Sequence, residues 1–144
     1  MVKHATNKNI LSPKTLFNSH NWGFSQGRRI KVGNVDMIHI SGQVPWDEKS
    51  TLVANDLPSQ FSACLDNVIT VVKEAGGTKN DIQQLRIYVV NFKSGKDAEV
   101  IAKILKMKFK DADFPASTWL GVESLAQPDY LVEVDAIATI INKE

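Results

Sequence analysis

A single α+β domain, a mixed sheet carrying two helices on one of its faces, is what this chain of 144 residues predicts. Three observations carry that expectation. Two stretches repeat apolar residues at spacings of three and four, several short runs alternate at a spacing of two, and they follow one another as strand, strand, helix, strand, helix, strand, strand. With 43% hydrophobic and 23% charged residues, the chain has an ordinary globular balance and is long enough to enclose one core.

Residues 25–32 alternate and end at Gly33-Asn34, and residues 37–41 form a second short run, so the pair reads as a hairpin. Arg28 and Arg29 fall on opposite faces of the first strand and cannot clamp one anion together. Over residues 57–75, Phe61, Cys64, Leu65, Val68, Val72 and Ala75 make one apolar helical stripe. Asp56 is placed to cap that helix, Pro58 is tolerated in its first turn, and Gly76-Gly77 supply a left-handed stop. Residues 85–90 alternate as a third strand. A second helix over residues 96–110 turns Ala98, Ile101, Leu105 and Phe109 inward, with Lys103, Lys106 and Lys110 on a solvated face. Two more strands, over residues 117–123 and 130–141, flank the turn-rich Ala126-Gln127-Pro128-Asp129.

In the last strand Val132, Val134, Ala136, Ala138 and Ile140 form an apolar face that should meet the helices. The other face mixes Leu131, Ile137 and Ile141 with Glu133 and Asp135. Such a surface points to a subunit interface with the carboxylates at its edge.

A formal net charge of +1 with dispersed lysines and arginines offers no footprint for a nucleic-acid backbone. Cys64 is the only cysteine, which excludes an intrachain disulfide and a cysteine-based zinc cluster and points to a reducing compartment. His4, His20 and His39 lack metal-ligand spacing, and Gly23, Gly27 and Gly33 do not lead into a helix as a phosphate-binding loop would. No metal or cofactor is implied. The first dozen residues and the last few are the segments expected to be flexible. The amino terminus lacks the apolar run of a secretion signal and no stretch reaches membrane-spanning length without charge, so a cytoplasmic protein that does not enter membranes is expected.

Four segments in order, FSQG at 24–27, SGQVPWD at 41–47, LDNVITVVKEAGG at 65–77 and FPASTWLGVESLAQPDYLVEVDAIA at 114–138, make the chain resemble the reactive intermediate deaminase (RidA/YjgF) family over about residues 14–141. The resemblance implies a chorismate-mutase-like fold, a homotrimer, and clefts between subunits that take a small molecule. It also implies site roles. Glu133 falls at the family glutamate that positions or activates the attacking water in imine hydrolysis, and Ser41-Gly42 at a pair whose backbone and hydroxyl approach the ligand.

Four positions depart from the family pattern. Ser117 stands where the family arginine grips the substrate carboxylate, a two-pronged contact that one hydroxyl does not reproduce. Trp119 replaces a small residue and either fills the pocket or walls it; Phe24 replaces a tyrosine; Val100 or Ile101 stands where an asparagine is common. Arg86 is a candidate replacement cation, but as a strand arginine it reads first as a solvated or salt-bridged group. Taken alone, Glu133 reads as a charge at an interface rim. Three functions therefore stay open: a hydrolase or deaminase of a small carbonyl, imine or enamine of non-standard structure; a ligand-binding or regulatory protein without chemistry; and the endoribonuclease historically ascribed to the family. The charge makes the last the least attractive.

Overall fold

The sheet runs β1-β2-β3-β6-β4-β5 in a computed structural model that describes residues 7–143, with every neighbouring pair antiparallel except β4 and β5. Its strands are β1 (Ile10–Leu11), β2 (Gly27–Val32), β3 (Val35–Gln43), β4 (Ile82–Val90), β5 (Ala116–Val122) and β6 (Val132–Ile141). Helices α1 (Leu57–Glu74) and α2 (Lys96–Lys108) pack on one face. This is the α+β mixed sheet with two helices that the periodicities predict. His4 lies outside the described residues.

The hairpin closes through the two-residue turn Gly33-Asn34, with Gly33 at φ +60° and Val32 paired to Val35. The chemistry at both ends of α1 is as expected. The Asp56 side chain accepts from the Ser59 amide at 2.8 Å, and the amides of Gly76 and Gly77 donate to the carbonyls of Lys73 and Val72, each at 2.9 Å. With Gly76 at φ +93°, this is a Schellman stop.

Phe61, Cys64, Val68 and Val72 of α1 and Ile101 of α2 lie fully buried against Ile38, Leu85, Ile87, Val132, Val134 and Ala138 of the sheet. Each such apolar side chain contributes about 1.5–3 kcal/mol through removal from water. Among the described residues the opposite face carries no helix. There Ile30, Val32, Met37, Leu120 and Ile141 stay exposed, the most open being Ile141 at 71%.

The structure departs from the expectation in one segment and at several element boundaries. Residues 10 and 11, within the segment expected to be flexible, pair with β2, and Leu11 is buried. The second helix ends at Lys108, and β6 starts at Val132 because Asp129 to Leu131 is held instead by the buried side chain of Gln60. Its amide nitrogen donates to the carbonyls of Ala54 and Asp129 at 3.0 Å, and its oxygen accepts from the Leu131 amide at 2.8 Å. No helix among the described residues is long and apolar enough to cross a membrane.

Candidate functional site

Glu133 lies on the face of β6 that points away from the helices, because its neighbours Val132 and Val134 fill the core. Its half-buried carboxyl rests directly over Gly42. A β-carbon built on Gly42 would lie 2.7 Å from both the Glu133 carboxyl carbon and Oε2. The approach depends on a register break in β3: Ile40 pairs with Ala136 and Gln43 with Val134, which sets three steps of one strand against two of the other and bulges Ser41-Gly42.

The bulge is anchored from behind. Ser41 donates its amide to the Gln26 carbonyl at 2.9 Å and its hydroxyl to the Ser25 carbonyl at 2.5 Å. Gln43, fully buried, donates to the Gln26 side chain at 2.9 Å and to the Ser41 carbonyl at 3.0 Å; Gln26 in turn donates to the Phe17 carbonyl at 3.0 Å. Gln43 Oε1 has no partner among the described residues. Phe24, next to Ser25, stacks edge-on against Phe17 at 6.1 Å and borders a broad open hollow with Ser25, His20 and Arg29.

Burial, with a further push from the charge of Asp135, raises the Glu133 carboxyl above its ordinary value. Asp135 itself is engaged, accepting from Arg86 Nε and from the Tyr88 hydroxyl, each at 2.8 Å. Tyr88 pairs with Glu133 across β4 and β6, and Arg86 with Asp135. Burial pushes up the phenol of Tyr130, and the charge of Glu133 adds to that shift. Tyr88, Tyr130 and the bulge-holding glutamines were not singled out from the sequence, and no local pattern marks them. They gather only through strand register.

Ser117 and Trp119 lie on the other face. Their partners in β4 are Leu85 and Ile87, both fully buried, so both side chains turn toward α2 and away from Glu133. Trp119 Nε1 donates to Ser117 Oγ at 3.0 Å, and both line a crevice of about 250 Å³ between α2 and β5. Lys106, read from the sequence as part of a solvated face, also borders it. Within one chain the structure thus joins Glu133, Gly42 and Ser41, sets Phe24 beside them through Ser25, and separates Ser117 and Trp119. Val100 and Ile101 pack in the core. Arg28 is exposed while Arg29, on the opposite face of β2, pairs with Asp36 at 2.6 Å.

A six-stranded mixed sheet backed by two helices, with a raised carboxyl seated on a strand bulge, defines a class of small α+β proteins, and comparison with known proteins makes the assignment specific. The family model described as Endoribonuclease L-PSP matches residues 22–140. The chain belongs to that family, which is also the RutC and RidA family. It is 32% identical over 111 residues to the 2-iminobutanoate/2-iminopropanoate deaminase of Escherichia coli, covering 76% of this chain and 82% of that protein. A RutC family protein of Pyrococcus abyssi is 31% identical over 112 residues, covering 76% and 81%. Among solved structures, the yjgF gene product from E. coli superposes with a TM-score of 0.75 at 29% identity, covering 90% of this chain and 96% of that one. The Rid family protein YyfB from Yersinia pestis does so with a TM-score of 0.67 at 35% identity, covering 91% and 97%.

Proposed function

We propose that this protein binds a small carbonyl, imine or enamine metabolite in a cleft completed between subunits and, where the ligand is an imine, hydrolyses it with water. One observation carries the reading: the Glu133 carboxyl, raised by burial, sits on the Gly42 backbone at the β3 bulge. The deaminases among its relatives support the reaction class.

In this reading Glu133 takes a proton from a water molecule as the water oxygen bonds to the imine carbon and the C=N electron pair moves to nitrogen. Glu133 passes that proton to the nitrogen, which gives a neutral carbinolamine. It then takes the carbinolamine's hydroxyl proton as the C=O bond forms and the C–N bond breaks, and delivers it to the departing nitrogen, so that ammonia leaves and the carboxylate is restored. Ser41-Gly42 bring backbone close to the ligand and Phe24 flanks it. Ser117 and Trp119 face the other side of their own sheet, so they reach the ligand of a Glu133 only from a neighbouring copy, which is why the cleft belongs to a homotrimer in this proposal.

The test is release of 2-oxobutanoate from 2-iminobutanoate, generated in situ, by the wild type and by Glu133→Gln. The proposal expects turnover that the amide variant loses by at least about a hundredfold, within the usual contribution of a positioned base. Equal turnover in the two proteins removes Glu133 from the chemistry. A binding role without chemistry is the second reading, favoured by the apolar crevice at Ser117 and Trp119; ligand binding without turnover in either protein would select it. Nuclease activity gains nothing from a net charge of +1.

A further inference from the structure

We infer that Tyr88 recognises the nitrogen end of the ligand: its phenol oxygen, with the hydroxyl proton directed to Asp135, accepts a hydrogen bond from an imine or iminium N–H beside Glu133 and offers nothing to the carbonyl that replaces it. The inference rests on the proposed function in placing the ligand against Glu133, but it concerns binding and needs no turnover.

Strand register puts the ring there. Tyr88 of β4 pairs with Glu133 of β6, and residues directly opposite in an antiparallel pair share a face with their β-carbons about 4.5–5.5 Å apart. Leu85, Ile87 and Val89 fill the core, so Tyr88 turns to the face without helices, where it is half-buried. Its other neighbour on that face is Leu120 of β5, an apolar side chain with no group to compete for the phenol. The hydroxyl reaches Asp135, two positions along β6 from Glu133, a diagonal that an aromatic side chain spans.

Hydrogen bonding fixes the direction of the phenol. Asp135 takes Arg86 Nε on Oδ1 and the Tyr88 hydroxyl on Oδ2, each at 2.8 Å. A guanidinium only donates and a carboxylate only accepts, so the phenol proton points at Asp135. Burial, followed by that hydrogen bond, raises the phenol above its ordinary value of 10.0, and the proton stays on Tyr88 at neutral pH. What the oxygen still presents is a lone pair. An imine nitrogen that carries hydrogen donates to it, the protonated form most strongly, whereas a carbonyl oxygen brings only lone pairs of its own. Hydrolysis converts the first into the second, so the atom that holds the substrate favours release of the product.

Propionamidine, a stable planar cation with N–H donors like those of an iminium, is the probe, and butanone is its neutral carbonyl counterpart. Binding is followed in the full-length protein as purified, with the Gly42 amide in a ¹⁵N-correlation spectrum giving affinity and the tyrosine ring ¹³C signals giving location. The chain has two tyrosines, so Tyr88→Phe assigns both. Propionamidine at millimolar concentration is expected to move the Tyr88 ring signals. Tyr88→Phe keeps the ring and should weaken propionamidine by about tenfold, the low end for a hydrogen bond to a charged group, while butanone is unchanged.

Asp135→Asn reverses the polarity. With Arg86 holding the side-chain oxygen, the new amide donates to the phenol, whose proton then turns toward the ligand. Butanone is neutral and indifferent to the lost charge, so it should bind this variant about threefold more tightly than wild type, the size of one neutral hydrogen bond. Thermal melting checks that each variant is folded; should Asp135→Asn not fold, Tyr88→Phe decides alone. Tyr88 signals unmoved by propionamidine, equal propionamidine affinity in wild type and Tyr88→Phe, equal losses of both probes in that variant, or butanone unaffected by Asp135→Asn would each overturn the inference. Imine turnover that Glu133→Gln abolishes, alongside any of those results, would leave the proposed chemistry standing and remove Tyr88 from it.

Discussion

The carboxyl of Glu133 occupies the space that a side chain on Gly42 would need, with Oε2 2.7 Å from the position of a β-carbon there. The two residues come from strands far apart in sequence, and each is useful to the other only as it stands. Glycine leaves room for the acid, and the acid lies against exposed backbone at a bulge.

Gly42→Ala tests that relationship without touching the acid. The added methyl displaces a flexible side-chain end rather than backbone, so the fold is expected to survive with a melting temperature within a few degrees of wild type. Imine turnover should fall by about tenfold or more as the carboxyl is pushed from its seat. Unchanged turnover would separate Glu133 from Gly42 in function.

The pH dependence follows from the direction of the Glu133 shift. As a base it must be ionised, so activity should rise with pH along a limb lying above the ordinary carboxyl value of 4.5, and Asp135→Asn should move that limb down by removing the nearby charge. Stability runs the other way. The folded state holds this proton more tightly than the unfolded chain does, so the group's stabilising contribution is present below 4.5 and is lost as pH rises through the raised folded value. Glu133→Gln should therefore melt at a higher temperature than wild type at about pH 7 and close to it at about pH 4. Thermal melts at both pH values check the sign.

Gln60→Leu should destabilise the protein by about 2–3 kcal/mol, because it strips partners from the Leu131 amide and the Asp129 carbonyl in the approach to β6 and from the Ala54 carbonyl ahead of α1. Urea unfolding measures the loss. Since the same bonds set the start of the strand that carries Glu133, turnover should fall in the folded fraction as well.

The bare sheet face, with Ile30, Val32, Met37, Leu120 and Ile141 exposed, should be covered by other copies of the chain. Light scattering on the purified protein is expected to give about three times the 16.0 kDa chain mass. A stable single-chain mass at micromolar concentration would remove both the interface and the shared cleft.

Much of the architecture was legible residue by residue. The stripe from Phe61 to Val72, the Asp56 cap and the Gly76-Gly77 stop define α1 by rules that act within a few residues, and the structure reproduces them. Alternation in β6 likewise predicted which residues enter the core. Leu11 was not legible: a two-residue strand carries no periodicity, and only pairing with Gly27 and Arg28 orders it. The buried amides of Gln26, Gln43 and Gln60 were missed for a related reason, since an isolated polar residue looks solvated until its partners arrive from distant segments.

The candidate site divides in the same way. The sequence by itself determined that Ser117 and Trp119 share one face of a strand and that Glu133 and Asp135 share one face of another, because strand side chains alternate wherever the strand lies. Only the tertiary structure decided that those faces point in opposite directions, through the parallel register of Ser117 with Leu85 and the antiparallel register of Glu133 with Tyr88. It alone placed Glu133 on Gly42, because one extra residue in β3 shifts the pairing there. Periodicity is a property of neighbouring residues, whereas register is set by the summed packing and hydrogen bonding of strands brought together from across the chain, and a one-residue change in it moves a side chain from one face of the sheet to the other.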